Sequence, residues 1–368
     1  MILNDGIKKL NKYLKNKKYK KILIITGKNS YFKSGAHIIL KSIIKDKNVN
    51  FFFKKSYVPE IRELKKIVKF ADKINPDLIL AVGGGAVIDY SKIVSCTNYS
   101  EILFKKIFLG KVIHNKKFEL CVIPTTAGSG AEVTSNSVIY IEKKKFSFES
   151  LRLLPDYFIL VPHLVLKLNK KIKSSSGFDA ISQALESILS LKSNDKSIYF
   201  AKKSLKLSME NYLDFLNKPN NTNTLNMCLA ANLSGKAINI SKTIAPHAVS
   251  YPFTSYFGIS HGHAVSLTLN KFLLFNFNNI NYSQSNFDLK KRYKILFSAT
   301  KTKSINDLDL LLKNIKKKAN LEQNYKKLNI DIKKNHTKIL NGINELRLKN
   351  NPIKLKKSDV SNILKIDD

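Results

Sequence analysis

The chain has 368 residues, 43% of them hydrophobic, and carries 64 Lys and Arg against 27 Asp and Glu, a formal charge of +37. That length predicts two domains rather than one core. No stretch approaches the ~18 apolar residues of a membrane span, and the mixed apolar and basic start MILNDGIKKLNKYLKNKKYKK predicts no secretory signal. Cys96, Cys121 and Cys228 are scattered and odd in number, so neither a disulfide framework nor a cysteine metal site is expected, as fits packing residues in a reducing cytoplasm.

A field of this sign attracts nucleic acid, anionic membrane or phosphorylated small molecules. The lysine runs, however, keep apolar partners at helical spacing, as in LDLLLKNIKKKANL (308–321). Solvated helix faces are therefore expected, with no specific nucleic-acid or membrane partner.

In chain order, KKILIITG (20–27) and NVNFFF (48–53) predict strands, and IRELKKIVKFADKI (61–74) a helix. PDLILAVGGG (76–85) predicts a strand closed by three glycines, with AVIDYSKIVSC (86–96) the following helix. FELCVIPTT (118–126) is a further strand, and SNSVIYIE and KKFSFES within 135–150 read as a hairpin. Such alternation predicts an α/β half with a parallel, doubly wound sheet. From about Leu164 the pattern turns helical: KSSSGFDAISQALESILS, SIYFAKKSLKLSMENYLDFL, LNMCLAANLSGKAINI and the segments after Leu289 carry apolar residues at i, i+3 and i+4. The expected division is 1–163, a nucleotide-binding domain, and 164–368, a helical metal-binding and catalytic domain.

Two loops after buried strands suit a nucleotide. Gly83, Gly84 and Gly85 let backbone approach a pyrophosphate, and the helix behind them offers unpaired N–H groups at the positive end of its dipole. Thr125, Thr126 and Ser129, in PTTAGSGAE (124–132), offer hydroxyls and amides at the same kind of edge. For a metal, Asp179 and Gln183 are four apart and share a helix face, while His247 and His261 stand 14 positions apart. One carboxylate with two imidazoles suits a divalent first-row cation.

These strings together resemble the iron-containing (group III) alcohol dehydrogenases over nearly the whole chain. GGGAVIDYSK (83–92), PTTAGSGAEVT (124–134), GFDAISQALES (177–187), HAVSYPFTSYFGISHGHAV (247–265) and the late NNPIKL are similar, in order, to that family's motifs. The resemblance implies a Rossmann-like domain followed by an all-α metal domain, the dehydroquinate synthase-like fold. It implies metal ligands at Asp179, Gln183, His247 and His261, holding Fe²⁺ or else Zn²⁺ or another divalent ion. Gln183 stands where most members have His, and Tyr251 where many have a His proposed to relay protons. Asp89 is implied to cap the glycine loop, and Lys145 to approach the nucleotide. Gly27 occupies the place of an Asp that holds the ribose of NAD; with Lys28, Ser30 and Lys33 beside it, NADPH is expected over NADH.

TGKNSYFKSGA, DAISQALES and GKAINISKTIAPHAVSYPF resemble one branch more closely, the phosphonoacetaldehyde reductases. That resemblance implies reduction of phosphonoacetaldehyde to 2-hydroxyethylphosphonate, with Lys236 and Lys242 as the cations for the substrate anion. Alternatives are a general dehydrogenase of uncharged alcohols and aldehydes, or a dehydroquinate synthase-like cyclase. The expected partners are a small aldehyde or alcohol and a second copy of the chain as a homodimer.

Overall fold

A computed structural model describes residues 6–17, 19–98 and 116–365. Packing divides the chain into two compact units, Met1–Asn169 with Asn220–Cys228, and Lys170–Pro219 with Leu229–Asp368. The boundary expected at 163/164 falls inside the short helix Pro162–Leu166.

The first unit opens with α1 (Gly6–Asn16), β1 (Lys21–Gly27), α2 (Lys28–Lys33), α3 (Ala36–Lys41), β2 (Asn48–Lys54) and α4 (Ile61–Ile74). It continues with β3 (Leu78–Gly83), α5 (Gly85–Val94), β4 (Glu119–Pro124), β5 (Asn136–Ile141), β6 (Lys144–Glu149), β7 (Tyr157–Phe158) and α6 (Pro162–Leu166). β2, β1, β3, β4 and β7 pair in that order, all parallel, and β5 and β6 form the antiparallel hairpin. Alternate residues of the strands feed opposite cores. Leu23, Ile25, Ile79, Ala81, Leu120 and Val122 pack with Leu64, Ile67, Tyr90 and Ile93 of α4 and α5. Ile22, Ile24, Leu78, Leu80, Val82 and Cys121 pack with Leu10, Leu14 and Leu40 of α1 and α3. Helices on both faces explain why β1 and β3 read as unbroken apolar runs.

β3 ends at Gly83, earlier than the glycine run suggests, because Gly84 is the N-cap of α5 and Gly85 its first residue. The order places the switch point of the sheet between β1 and β3, where ligands bind beyond the carboxyl ends of the strands.

The second unit is built on α7 (Lys170–Leu189), α8 (Asp195–Asn217), the part of α9 (Asn221–Ser241) from Leu229 onward, α10 (Ala245–Phe257), α11 (His261–Asn278), α12 (Leu289–Thr300), α13 (Ile305–Lys318), α14 (Ile332–Asn341), α15 (Glu345–Leu348) and α16 (Lys357–Lys365). From Lys173 to Leu189, α7 is buried on nearly every side. Its serines take internal partners: Ser174 donates to the Ala319 carbonyl and Ser182 to that of Phe178. Helices α8, α12, α13 and α14 open on Asn194, Asp288, Ser304 and Asp331, whose side chains accept the N3 backbone N–H. Three lysines, Lys316, Lys317 and Lys318, fill the last turn of α13, where a cation complements the helix dipole. All three cysteines are buried and unpaired. Among the described residues, no helix is long and apolar enough to cross a membrane.

Candidate functional site

In the second unit, α7, α10 and α11 bring Asp179, His247 and His261 together. One ligand atom from each lies within 4.8 Å of the others. Donors about 2.1 Å from one tetrahedral ion stand about 3.4 Å apart, so an ion would draw the widest pair together by about an ångström and leave the fourth position to another ligand. Asp179 and His247 are each only 4% exposed, and the two imidazoles meet edge to face at 5.3 Å between centroids. The donor set therefore fits a divalent ion.

His247 lies between two carboxylates. Its Nε2 is 3.2 Å from Asp179 Oδ1, and its Nδ1 is 2.5 Å from Glu186 Oε1. Burial alone would lower the imidazole pKa, but Glu186 and Asp179 override it and push it up to about 10. In the metal-free protein this imidazolium contribution is complete below the unfolded value of ~6.5 and declines until pH passes about 10. Thermal melts of the metal-free chain should accordingly fall between those limits, and His247→Gln should flatten the slope. An equal slope in both proteins would refute this account.

Gln183 lies beside Asp179, on the same face of α7. Its Nε2 donates to Asp179 Oδ2 at 3.2 Å, and its Oε1 accepts from Ser234 at 2.9 Å. The amide oxygen, the only atom of this side chain suited to a hard cation, is engaged by a hydroxyl from α9. Gln183 thus orients Asp179. Tyr251, one turn after His247 on α10, is buried with its ring 6.1 Å from that of His261. His263 is turned away onto the Glu322 carbonyl at 2.6 Å.

Lys236 and Lys242 both make contacts within this unit. The Lys236 ammonium lies 5.8 Å from the Phe200 ring centroid, held by the ring quadrupole. Lys242 follows the end of α9 with a positive φ of 61° and donates to the Asn239 carbonyl at 3.3 Å.

In the first unit, Thr26 pairs with Val82 and Gly83 with Pro124, so Gly27, Gly83–Gly85 and Thr125–Ser129 leave the same edge of the sheet. A Cβ at Gly83 would come 2.5 Å from Val87, at Gly84 3.2 Å from Thr126, and at Gly85 3.2 Å from Ser129. The two loops therefore form one narrow turn. Thr125 N–H bonds the Gly83 carbonyl at 3.0 Å, and Ser30 Oγ donates to the Gly27 carbonyl at 3.0 Å. Asp89 lies one turn inside α5 and does not cap the loop, since Gly84 is the cap. Its carboxyl accepts the Val138 N–H beside Ser137, and burial raises its pKa to about 6 although the Lys92 and Lys145 charges pull it down. Lys145, on β6, therefore acts first on Asp89.

Models of two domains cover the chain, iron-containing alcohol dehydrogenase over residues 2–162 and the C-terminal domain of Fe-containing alcohol dehydrogenases over residues 173–367. The chain belongs to the iron-containing alcohol dehydrogenase family. Among these dehydrogenases it is 32% identical over 211 residues to 4-hydroxybutyrate dehydrogenase of Clostridium kluyveri, covering 56% of each chain. It is 30% identical over 214 residues to phosphonoacetaldehyde reductase of Streptomyces viridochromogenes, covering 55% of this chain and 54% of that one. The chain thus spans about half the length of the curated relatives it matches. In fold it is similar to sulfoacetaldehyde reductase of Bifidobacterium kashiwanohense in complex with NAD⁺, with TM-score 0.87, 24% identity, and coverage of 99% of this chain and 95% of that one.

Three residues that act here were given no role by the sequence reading: Glu186, Ser234 and Gly262. Glu186 carried a signal, since 179, 183 and 186 fall on one helix face. Gly262 is where α11 meets α7, a Cβ there lying 1.9 Å from the Ser175 carbonyl oxygen. Ser234 carried none.

Proposed function

We propose that the chain reduces a small aldehyde to its alcohol with a reduced nicotinamide dinucleotide, NADPH in preference to NADH, in the cytoplasm. The observation that carries the reading is the Asp179–His247–His261 cluster within one ion's reach. A divalent ion held there, Fe²⁺ or Zn²⁺, supplies Lewis acidity to a carbonyl oxygen when bound, and the nicotinamide supplies hydride. The chain's own residues do the rest. Asp179, His247 and His261 hold the ion; Gln183 and Glu186 hold two of those ligands in place. Tyr251 stands next to His261 to pass the proton that the alcohol requires. Gly83–Gly85 admit the pyrophosphate to the N-terminus of α5, with Thr126 and Ser129 lining the turn. Gly27 leaves β1 without a carboxylate, and Lys28 and Lys33 follow it on α2, which supports a 2′-phosphate.

For the substrate we favour an aldehyde with an anionic end, phosphonoacetaldehyde first. Support comes from the names of the relatives: 4-hydroxybutyrate, phosphonoacetaldehyde and sulfoacetaldehyde are all short and all carry an anion. Lys236 and Lys242, which precede His247 in the chain, are the cations we assign to that anion. The test is nicotinamide oxidation by the metal-loaded protein, comparing phosphonoacetaldehyde with uncharged aldehydes of similar length and NADPH with NADH. One charge-assisted hydrogen bond predicts kcat/KM about tenfold higher for the anionic substrate. A preference for the uncharged aldehydes would defeat the phosphonate reading, and equal use of NADH would defeat the argument from Gly27.

A further inference from the structure

We propose that Glu186 is the positioning residue of the metal centre, one carboxylate capping the helix that carries His247 while fixing which imidazole nitrogen faces the ion. The inference rests on the metal reading above and adds a residue to it.

Helix α10 begins badly by its own sequence. Its N-cap is Ile244, which has no side-chain acceptor, and Pro246 follows within the first turn. Five other helices of this unit begin on Asn, Asp or Ser that bind their N3 amide. In α10 the acceptor comes from α7, 58 positions earlier: Glu186 Oε2 accepts the Ile244 N–H at 2.8 Å and lies 3.5 Å from the N3 amide, that of His247. The cap is a fully buried carboxylate, aligned with the positive end of the helix dipole.

The second oxygen of the same carboxylate reaches the His247 ring. Oε1 takes Nδ1–H at 2.5 Å, which leaves Nε2 pointing at Asp179 Oδ1, 3.2 Å away. An imidazole that gives Nδ1–H to a carboxylate presents the lone pair of Nε2 to a cation, and its ring can no longer rotate. Cap and ring share one side chain, so the backbone position of His247 and the angle of its ring are set together. Asp179 and Glu186 are seven residues apart on α7, and that one helix supplies both a ligand and the group that orients another ligand.

The test compares Zn²⁺ affinity, by chelator competition, for the natural chain and Glu186→Gln. A carboxamide has one acceptor, whereas Ile244 N–H and His247 Nδ1–H both need one. Either the cap fails, or the amide N–H₂ faces Nδ1 and forces the ring proton onto Nε2, the atom that should bind the ion. Affinity per folded molecule should fall by about 10- to 100-fold. A purely structural role would lower the melting temperature and leave that affinity unchanged, which would overturn the proposal. Should the variant not fold, the nitrogen resonances of isotope-labelled histidine in the zinc-loaded natural chain decide the matter. The proposal requires the His247 proton on Nδ1 and the ion on Nε2; the reverse tautomer overturns it. A natural chain with no affinity for Zn²⁺ would sink the metal reading and this inference with it. Equal affinity in chain and variant would sink this one alone.

Discussion

Replacing His261 by Ala should yield a folded protein that retains almost no metal and turns over at least about a thousandfold more slowly, the several kcal/mol of charge stabilisation that a bound cation supplies to a developing alkoxide. His261 is the best of the three ligands to remove. Asp179 and His247 are nearly inaccessible and bonded to each other, so deleting either leaves a buried partner uncompensated and confounds activity with stability. His261 is partly exposed and is the first residue of α11, and Ala is a good residue for a helix. Nucleotide binding, which the reading assigns to the first unit, is the internal control. Metal analysis, thermal melting and NADPH binding on the same preparation separate the outcomes. Full metal content or an undiminished rate would remove His261 from the site.

The sheet was readable because its signals are local. In β1 and β3, buried on both faces, every residue from Ile22 to Ile25 and from Leu78 to Val82 is inaccessible. Apolar runs ended by glycine report that directly. Asp179, His247 and His261 were readable as types, since few arrangements use a carboxylate and two imidazoles near glycine turns. Their neighbours were not, because each depends on a chain segment far away. The oxygen of Gln183 is decided by Ser234, 51 positions on. Glu186 shares a helix face with 179 and 183, but its partners at Ile244 and His247 appear only once α7 proves to be enclosed. The Phe200 ring beside Lys236 comes from another helix, 36 positions away. The carboxyl of Asp89 was placed on the loop by the family resemblance; β5 packs against α5 and provides the Val138 amide. In each case burial alters the preferred partner, and burial is a property of the tertiary structure.

Gly262→Ala should cost the metal centre nearly as much as losing a ligand, although Gly262 touches no ion. The added methyl would sit 1.9 Å from the Ser175 carbonyl oxygen and 2.9 Å from Asp179 Cβ. Carbon and carbonyl oxygen normally stay about 3.3 Å or more apart, so α11 must retreat from α7 by more than an ångström. His261 rides on the first residue of that helix and Asp179 on the facing turn of the other. Donor atoms already up to 4.8 Å apart would move further beyond the reach of one ion, and displacement on this scale is enough to cost about a hundredfold in rate. The clash is with backbone, which distinguishes it from Gly83, where a Cβ meets the Val87 side chain and Val87→Ala would still leave a Cβ 2.7 Å away. No single truncation relieves Gly262→Ala, because Ser175→Gly leaves the carbonyl where it is. Overpacking of this kind costs roughly 1–3 kcal/mol, which the melting temperature will register, but the sharper readout is metal content. A variant that keeps its ion and its rate would mean that the two helices can part without separating Asp179 from His261, and the close crossing would have no part in the site.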